Sequence, residues 1–159
     1  MVPLADLKKI IILDSFTDEM LTKFQPLVRS QNYSQNDLVF NENAQAESFY
    51  MILSGKVLLE KKIAESVTIS LGAIKMGYSF GWSTILGKIP FSLSARCAEK
   101  STILCVDGED VFDLFSNEPY MAYLFMRHLG NIMKNRLDRM EERLIRSLRE
   151  HPDFKPLLE

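Results

Sequence analysis

Histidine is nearly missing from this chain: His128 and His151 are its two examples in 159 residues. A metal-dependent β-roll enzyme needs clustered histidines and carboxylates, so that class is excluded, and no Ser–His–Asp spacing stands out. Cysteine is equally scarce. Cys97 and Cys105 both sit in apolar, strand-like runs, where reduced, buried thiols are expected. Two thiolates cannot hold an iron–sulfur cluster within one chain, which ordinarily takes four ligands. The longest purely aliphatic run is Ile10 to Leu13, far too short to span a bilayer and followed by no signal-peptide cleavage pattern. A cytoplasmic protein without a membrane partner is expected. Charge of one sign is lacking too: the net charge of -2 gives no argument for nucleic acid or an anionic membrane. No P-loop or paired catalytic carboxylates are found. Gly77-x-x-x-Gly81 is no dinucleotide fingerprint, because no βαβ unit surrounds it. The chain does not read as an enzyme.

What is present centres on Gly77-Tyr78-Ser79-Phe80-Gly81-Trp82-Ser83-Thr84-Ile85-Leu86, closing at Pro90-Phe91-Ser92. Two glycines bracket an aromatic pair, so the backbone turns sharply there. Ser83 and Thr84 are candidates to cap a short helix through Leu86. Such a turn aims several backbone N–H groups at one spot, a ready anion or carbonyl site. The plainer reading is a β-to-helix corner with a buried Trp82.

Residues 4–27 have helical spacing, with Thr17 placed to start a second short helix and Pro26 weakening its continuation. Residues 28–107 change period. About eight short apolar runs, separated by roughly eight to twelve residues, indicate an antiparallel β-roll or sandwich. The helical period returns over residues 109–150. Pro119 sits in the first turn of a helix that runs unbroken to about Glu150, with Gly130 its one weak spot.

That helix carries Met126, Leu129, Met133, Leu137, Met140, Leu144 and Leu148 at spacings of three and four, one continuous stripe. A helix of about thirty residues extends about 45 Å, longer than a domain of this size is wide. A second copy of the helix is the natural cover, giving a homodimer. The alternative folds the helix back on its own roll. Arg136, Arg139, Arg143, Arg146 and Arg149 lie among Asp138, Glu141, Glu142 and Glu150, which reads as a solvated face rather than a nucleic-acid contact.

Helices, then an eight-stranded roll with an embedded glycine cassette, then a long helix: this order resembles the cyclic-nucleotide-binding domain of the bacterial catabolite-activator and anaerobic-regulator superfamily, over roughly Ile10 to Leu144. Ser48 to Val57 looks like that family's Phe-Tyr hairpin, and Leu71 to Gly81 like the strand entering its phosphate-binding cassette. Phe80-Gly81-Trp82-Ser83 resembles a subgroup with Trp after the cassette glycine, often without a DNA-binding domain. The resemblance implies a mainly β fold: an eight-stranded antiparallel β-roll (jelly roll) with N-terminal helices, a short cassette helix and a long C-terminal helix. It implies one such domain over 1–159, serving signal transduction.

The departures shape the expected chemistry. In nucleotide-binding members the cassette glycine is followed by a Glu that accepts from the ribose 2′-hydroxyl, and an Arg further on pairs with the cyclic phosphate. Here those positions hold Trp82 and Phe91, neither of which can do the same. Losing both contacts costs about three orders of magnitude in affinity. On the long helix, Met140 and Glu141 fall at the positions that reach the pocket, and a carboxylate there opposes a phosphate. The expected site is therefore Gly81, Trp82, Ser83, Thr84, Phe91, Ser92, Met140 and Glu141, holding a small anionic or nucleotide-like ligand, with cAMP in the usual manner not expected. No metal or resident cofactor is implied. Alternatively Trp82 and Phe91 fill the pocket, and the protein is a ligand-free dimerisation or interaction module with a partner protein. A third reading is a DNA-binding regulator fragment lacking its helix-turn-helix. Residues 151–159 are too few for such a domain, and Met1 with the Pro-punctuated tail favours a complete small protein.

Overall fold

The computed structural model describes residues 1–87 and 89–151; the tail from 152 onward lies outside the described residues. The N-terminal segment forms α1 (Leu4–Leu7), a 3-10 turn (Ile11–Leu13), α2 (Asp18–Phe24) and a second 3-10 turn (Gln25–Leu27). Thr17 caps α2, its Oγ1 accepting from the Met20 N–H. Pro26 then holds the chain to the tighter turn.

Eight strands follow: β1 (Arg29–Tyr33), β2 (Leu38–Phe40), β3 (Ser48–Ser54), β4 (Lys56–Ala64), β5 (Val67–Lys75), β6 (Ser79–Phe80), β7 (Ser94–Cys97) and β8 (Ser101–Asp107). They form two four-stranded antiparallel sheets, ordered β1-β8-β3-β6 and β2-β7-β4-β5. The fold is the expected β-roll. Helices α3 (Gly108–Asn117) and α4 (Pro119–Glu150) complete it. No described helix is long and apolar enough to cross a membrane.

Strand β3 explains the unbroken run Phe49 to Leu53. Phe49 and Met51 face the helices and pack with Leu7, Phe24, Leu104, Phe125 and Leu129. Tyr50 and Ile52 face the roll interior, with Val57, Leu59, Phe80, Ala95, Cys97 and Ile103. A strand covered on both faces is apolar at every position, because its alternate side chains enter two different cores. Cys97 and Cys105 are buried free thiols.

Helix α4 divides along its length. Met121, Leu124, Phe125 and Leu129 are buried against the protein's own core, whereas Met126, Met133, Leu137, Met140, Leu144 and Leu148 are exposed. Leu129 is therefore corrected: it is a core residue, 1% exposed, and not available to a second copy. The 3.6-residue period turns it toward the roll, while the rest of the expected stripe looks outward.

Candidate functional site

The cassette is anchored at both ends by backbone. The Gly77 N–H donates to the Ile52 carbonyl at 2.8 Å, and its carbonyl accepts from the Ile11 N–H at 2.8 Å. Strand β6 pairs Phe80 with Tyr50. Gly81 then turns left-handed, at φ 76°, where a Cβ would strike the Tyr50 ring. A 3-10 turn over Trp82–Thr84 follows. The expected capping by Ser83 and Thr84 is corrected: Gly81 occupies the cap position without a side-chain bond, and both hydroxyl residues lie inside the turn.

Alternation at this turn sends neighbouring rings to different cores. Phe80 enters the roll and stacks on Tyr50, with centroids 5.3 Å apart. Trp82 packs against the helical core beside Ile85 and Ile132, and Arg136 lies 5.4 Å over its ring. Phe91 returns to the roll and stacks on Phe40 at 3.7 Å. The chain is held there because the Phe91 N–H donates to the Ala44 carbonyl and its own carbonyl accepts from the Asn43 N–H.

Between cassette and α4 a mostly apolar cavity of about 600 Å³ remains open. It brings together Gly81, Trp82, Ser83, Phe91, Ser92 and Met140, as the sequence suggests. Two expected residues are not brought in. Thr84 is buried beneath Gly108, its hydroxyl without a partner. Glu141 is exposed on α4 and outside the lining, because one residue on a helix is a 100° turn away from Met140. Sequence reasoning missed Met133, Leu137, Lys134 and Arg136 as cavity wall. The spacing of Met133, Arg136 and Leu137 from Met140 is the available signal; the sequence reads Met133 and Leu137 as a dimer stripe and Arg136 as a solvated face, and nothing in it singles out Lys134.

The model of the cyclic nucleotide-binding domain matches residues 30–118, more than half of the chain. The chain belongs to the cyclic nucleotide-binding domain family. Within it, a cyclic nucleotide-binding domain from Methylobacillus flagellatus superposes with a TM-score of 0.79 at 16% identity, covering 91% of this chain and 81% of that one. The catabolite activator protein of Thermus thermophilus gives a TM-score of 0.72 at 22% identity, covering 87% of this chain and 64% of its own. At these identities the likeness shows the fold. A cyclic GMP-binding protein C of Dictyostelium discoideum is 28% identical over 107 residues. That match covers 66% of this chain and only 4% of the Dictyostelium protein.

Proposed function

We propose that this member of the family is a non-catalytic, small-ligand-sensing regulatory module whose pocket departs from cAMP chemistry. The observation that carries the reading is the open cassette cavity with Phe91 and Trp82 on its wall. Among the described residues no Asp or Glu lines it, so none of them accepts from a ribose hydroxyl through a carboxylate. Phe91 is committed to its stack on Phe40 and offers no charge to a cyclic phosphate. The cations present, Lys134 and Arg136, come from α4 instead. These features suit a flat, largely apolar ligand with its acidic group turned toward the helix. Its binding would bias the position of α4, since cavity and helix share a wall. The remaining volume favours this reading over a pocket filled by Trp82 and Phe91.

Thermal unfolding with cAMP, cGMP and a panel of aromatic acids tests it. Selective binding to the folded state raises the transition by mass action. No rise with either cyclic nucleotide and a rise with an aromatic acid is the expected result. A clear rise with cAMP or cGMP would overturn the argument from Trp82 and Phe91. No rise with any compound would return the filled-pocket interaction module.

The partner we propose is a second copy. Leu137, Leu144 and Leu148 of α4 and Ile69 and Leu71 of β5 are exposed large apolar side chains among the described residues, of the kind that oligomer contacts cover.

A further inference from the structure

A second cleft, of about 470 Å³, lies between β5, the Tyr78–Ser79 segment and the middle of α4. Its charge is one-sided. Arg136, Arg139 and Arg143 line it from α4 and Lys75 from β5, and among the described residues no Asp or Glu does. Spacings of three and four place the three guanidinium groups along one helix face. The acids interleaved with them in sequence are placed elsewhere. Asp138 is engaged by Lys134 at 2.7 Å, and Glu141 and Glu142 are exposed outside the lining. Among the described residues, none of the three arginines has a carboxylate partner. Arg143 donates one N–H to the Leu71 carbonyl at 3.1 Å, and Arg136 covers the Trp82 ring. Burial holds the Arg136 guanidinium below its usual pKa range. A partly desolvated cation without a counter-charge favours an anion beside it.

Two further polar groups belong to the same cleft. Ser79 is 2% exposed, and its hydroxyl has no partner. The Trp82 indole N–H is likewise buried and unpartnered. Indole and guanidinium N–H groups only donate, so both call for acceptor oxygens. The rest of the wall mixes apolar Ile11, Ile74 and Ile132 with polar His128, Asn131 and Asn135, and the volume is that of a metabolite site.

We propose that this cleft binds a small organic anion, a phosphate- or carboxylate-bearing metabolite, with its acidic oxygens on Arg139 and Arg143 and its body against Ile11, Ile74 and Ile132. The cleft adjoins the cassette cavity, sharing Leu71, Trp82, Arg136 and Met140 with it, and Arg139 and Arg143 line the cleft but not the cavity. An occupant would cross-link α4 to the edge of β5.

Trp82, the only tryptophan in the chain, lines both this cleft and the cassette cavity, so intrinsic fluorescence reports an occupant and the variants assign it to one site or the other. The full chain is titrated with sodium pyrophosphate and, separately, with sodium citrate, ionic strength being held constant with NaCl. A saturable change with at least one of them, with a midpoint below about 1 mM, is expected, and the two arms separate phosphate from carboxylate recognition. The double variant R139Q/R143Q should weaken the response by about tenfold or more, because charge-assisted bonds are lost. L93A, at a residue that lines the cassette cavity and not this cleft, should leave the midpoint within about twofold. Both arginines are exposed, so an unchanged unfolding temperature of the double variant confirms an intact fold. The proposal is overturned by a response equal to that of NaCl alone, by undiminished affinity in R139Q/R143Q, or by no fluorescence change together with no heat in calorimetry.

Discussion

Phe91 and Trp82 occupy the two positions at which a nucleotide-binding relative would be expected to hold a cation and a carboxylate. Phe91 is buried and stacked, while Trp82 is half-buried between two cavities. Restoring the polar pair by W82E/F91R therefore creates the missing acceptor and the missing charge at a cavity that already exists. Affinity for cAMP or cGMP, measured by calorimetry, should rise by about tenfold or more over the parent. The new Arg loses the Phe40 stack, worth about 0.5–1.5 kcal/mol beyond area burial, so circular dichroism should accompany the measurement. A folded variant that gains no affinity would show that the cassette backbone, rather than these side chains, departs from nucleotide binding.

At the scale of elements, α4 performs two different tasks along its 32 residues. Its first half closes the helical core through Phe125 and Leu129, whereas its second half meets the roll only across the two cavities and, among the described residues, leaves Leu137, Leu144 and Leu148 exposed. Leu137 and Leu144 are 64% and 60% exposed. The double variant L137E/L144E should leave monomer stability nearly unchanged, within about 0.5 kcal/mol, yet convert a dimer to a monomer in light scattering after size exclusion. A parent protein already monomeric at micromolar concentration would remove the second copy from the proposal. Both readings of this helix in the sequence, a dimer seam and a helix folded onto its own roll, were partly legible. The apolar stripe is the same 3.6-residue signal in either case. Only the packing of the helix against the roll, tight as far as Leu129 and open from Met133 onward, divides one stripe into core and exposed surface.

For the whole molecule, the tyrosine and cysteine groups with raised pKa values lie in or beside the roll interior. Burial pushes the Tyr50 hydroxyl up to about 12 from its ordinary 10.0. It pushes Tyr33 and the Cys97 thiol upward as well. The folded state therefore keeps protons that the unfolded chain releases. Stability from these groups is fully present below about pH 9 and is lost as pH rises from there toward 12. The urea midpoint should fall between pH 9 and pH 11, and Y50F should flatten that fall. An unchanged midpoint across the same range would contradict the burial of the Tyr50 hydroxyl.

By itself the sequence determined the architecture. Alternation, turn residues and helix starts are local, and each is written in a few neighbouring residues: Thr17 and Pro119 at helix starts, Gly81 at the cassette turn, the doubly covered run from Phe49. The sequence also raises the expectation that Trp82 and Phe91 stand in place of a polar pair, since position within a motif suggests a role. Tertiary structure alone decided what surrounds those residues. Thr84 turned beneath Gly108, Glu141 pointed away from the cavity, and Leu129 went into the core. It also sorted the mixed charges of α4, turning Arg136, Arg139 and Arg143 toward β5 and leaving the acids outside. The reason is geometric: a helix fixes which residues share a face, but only the packing of that helix against a distant strand decides which face meets a cavity and which meets water.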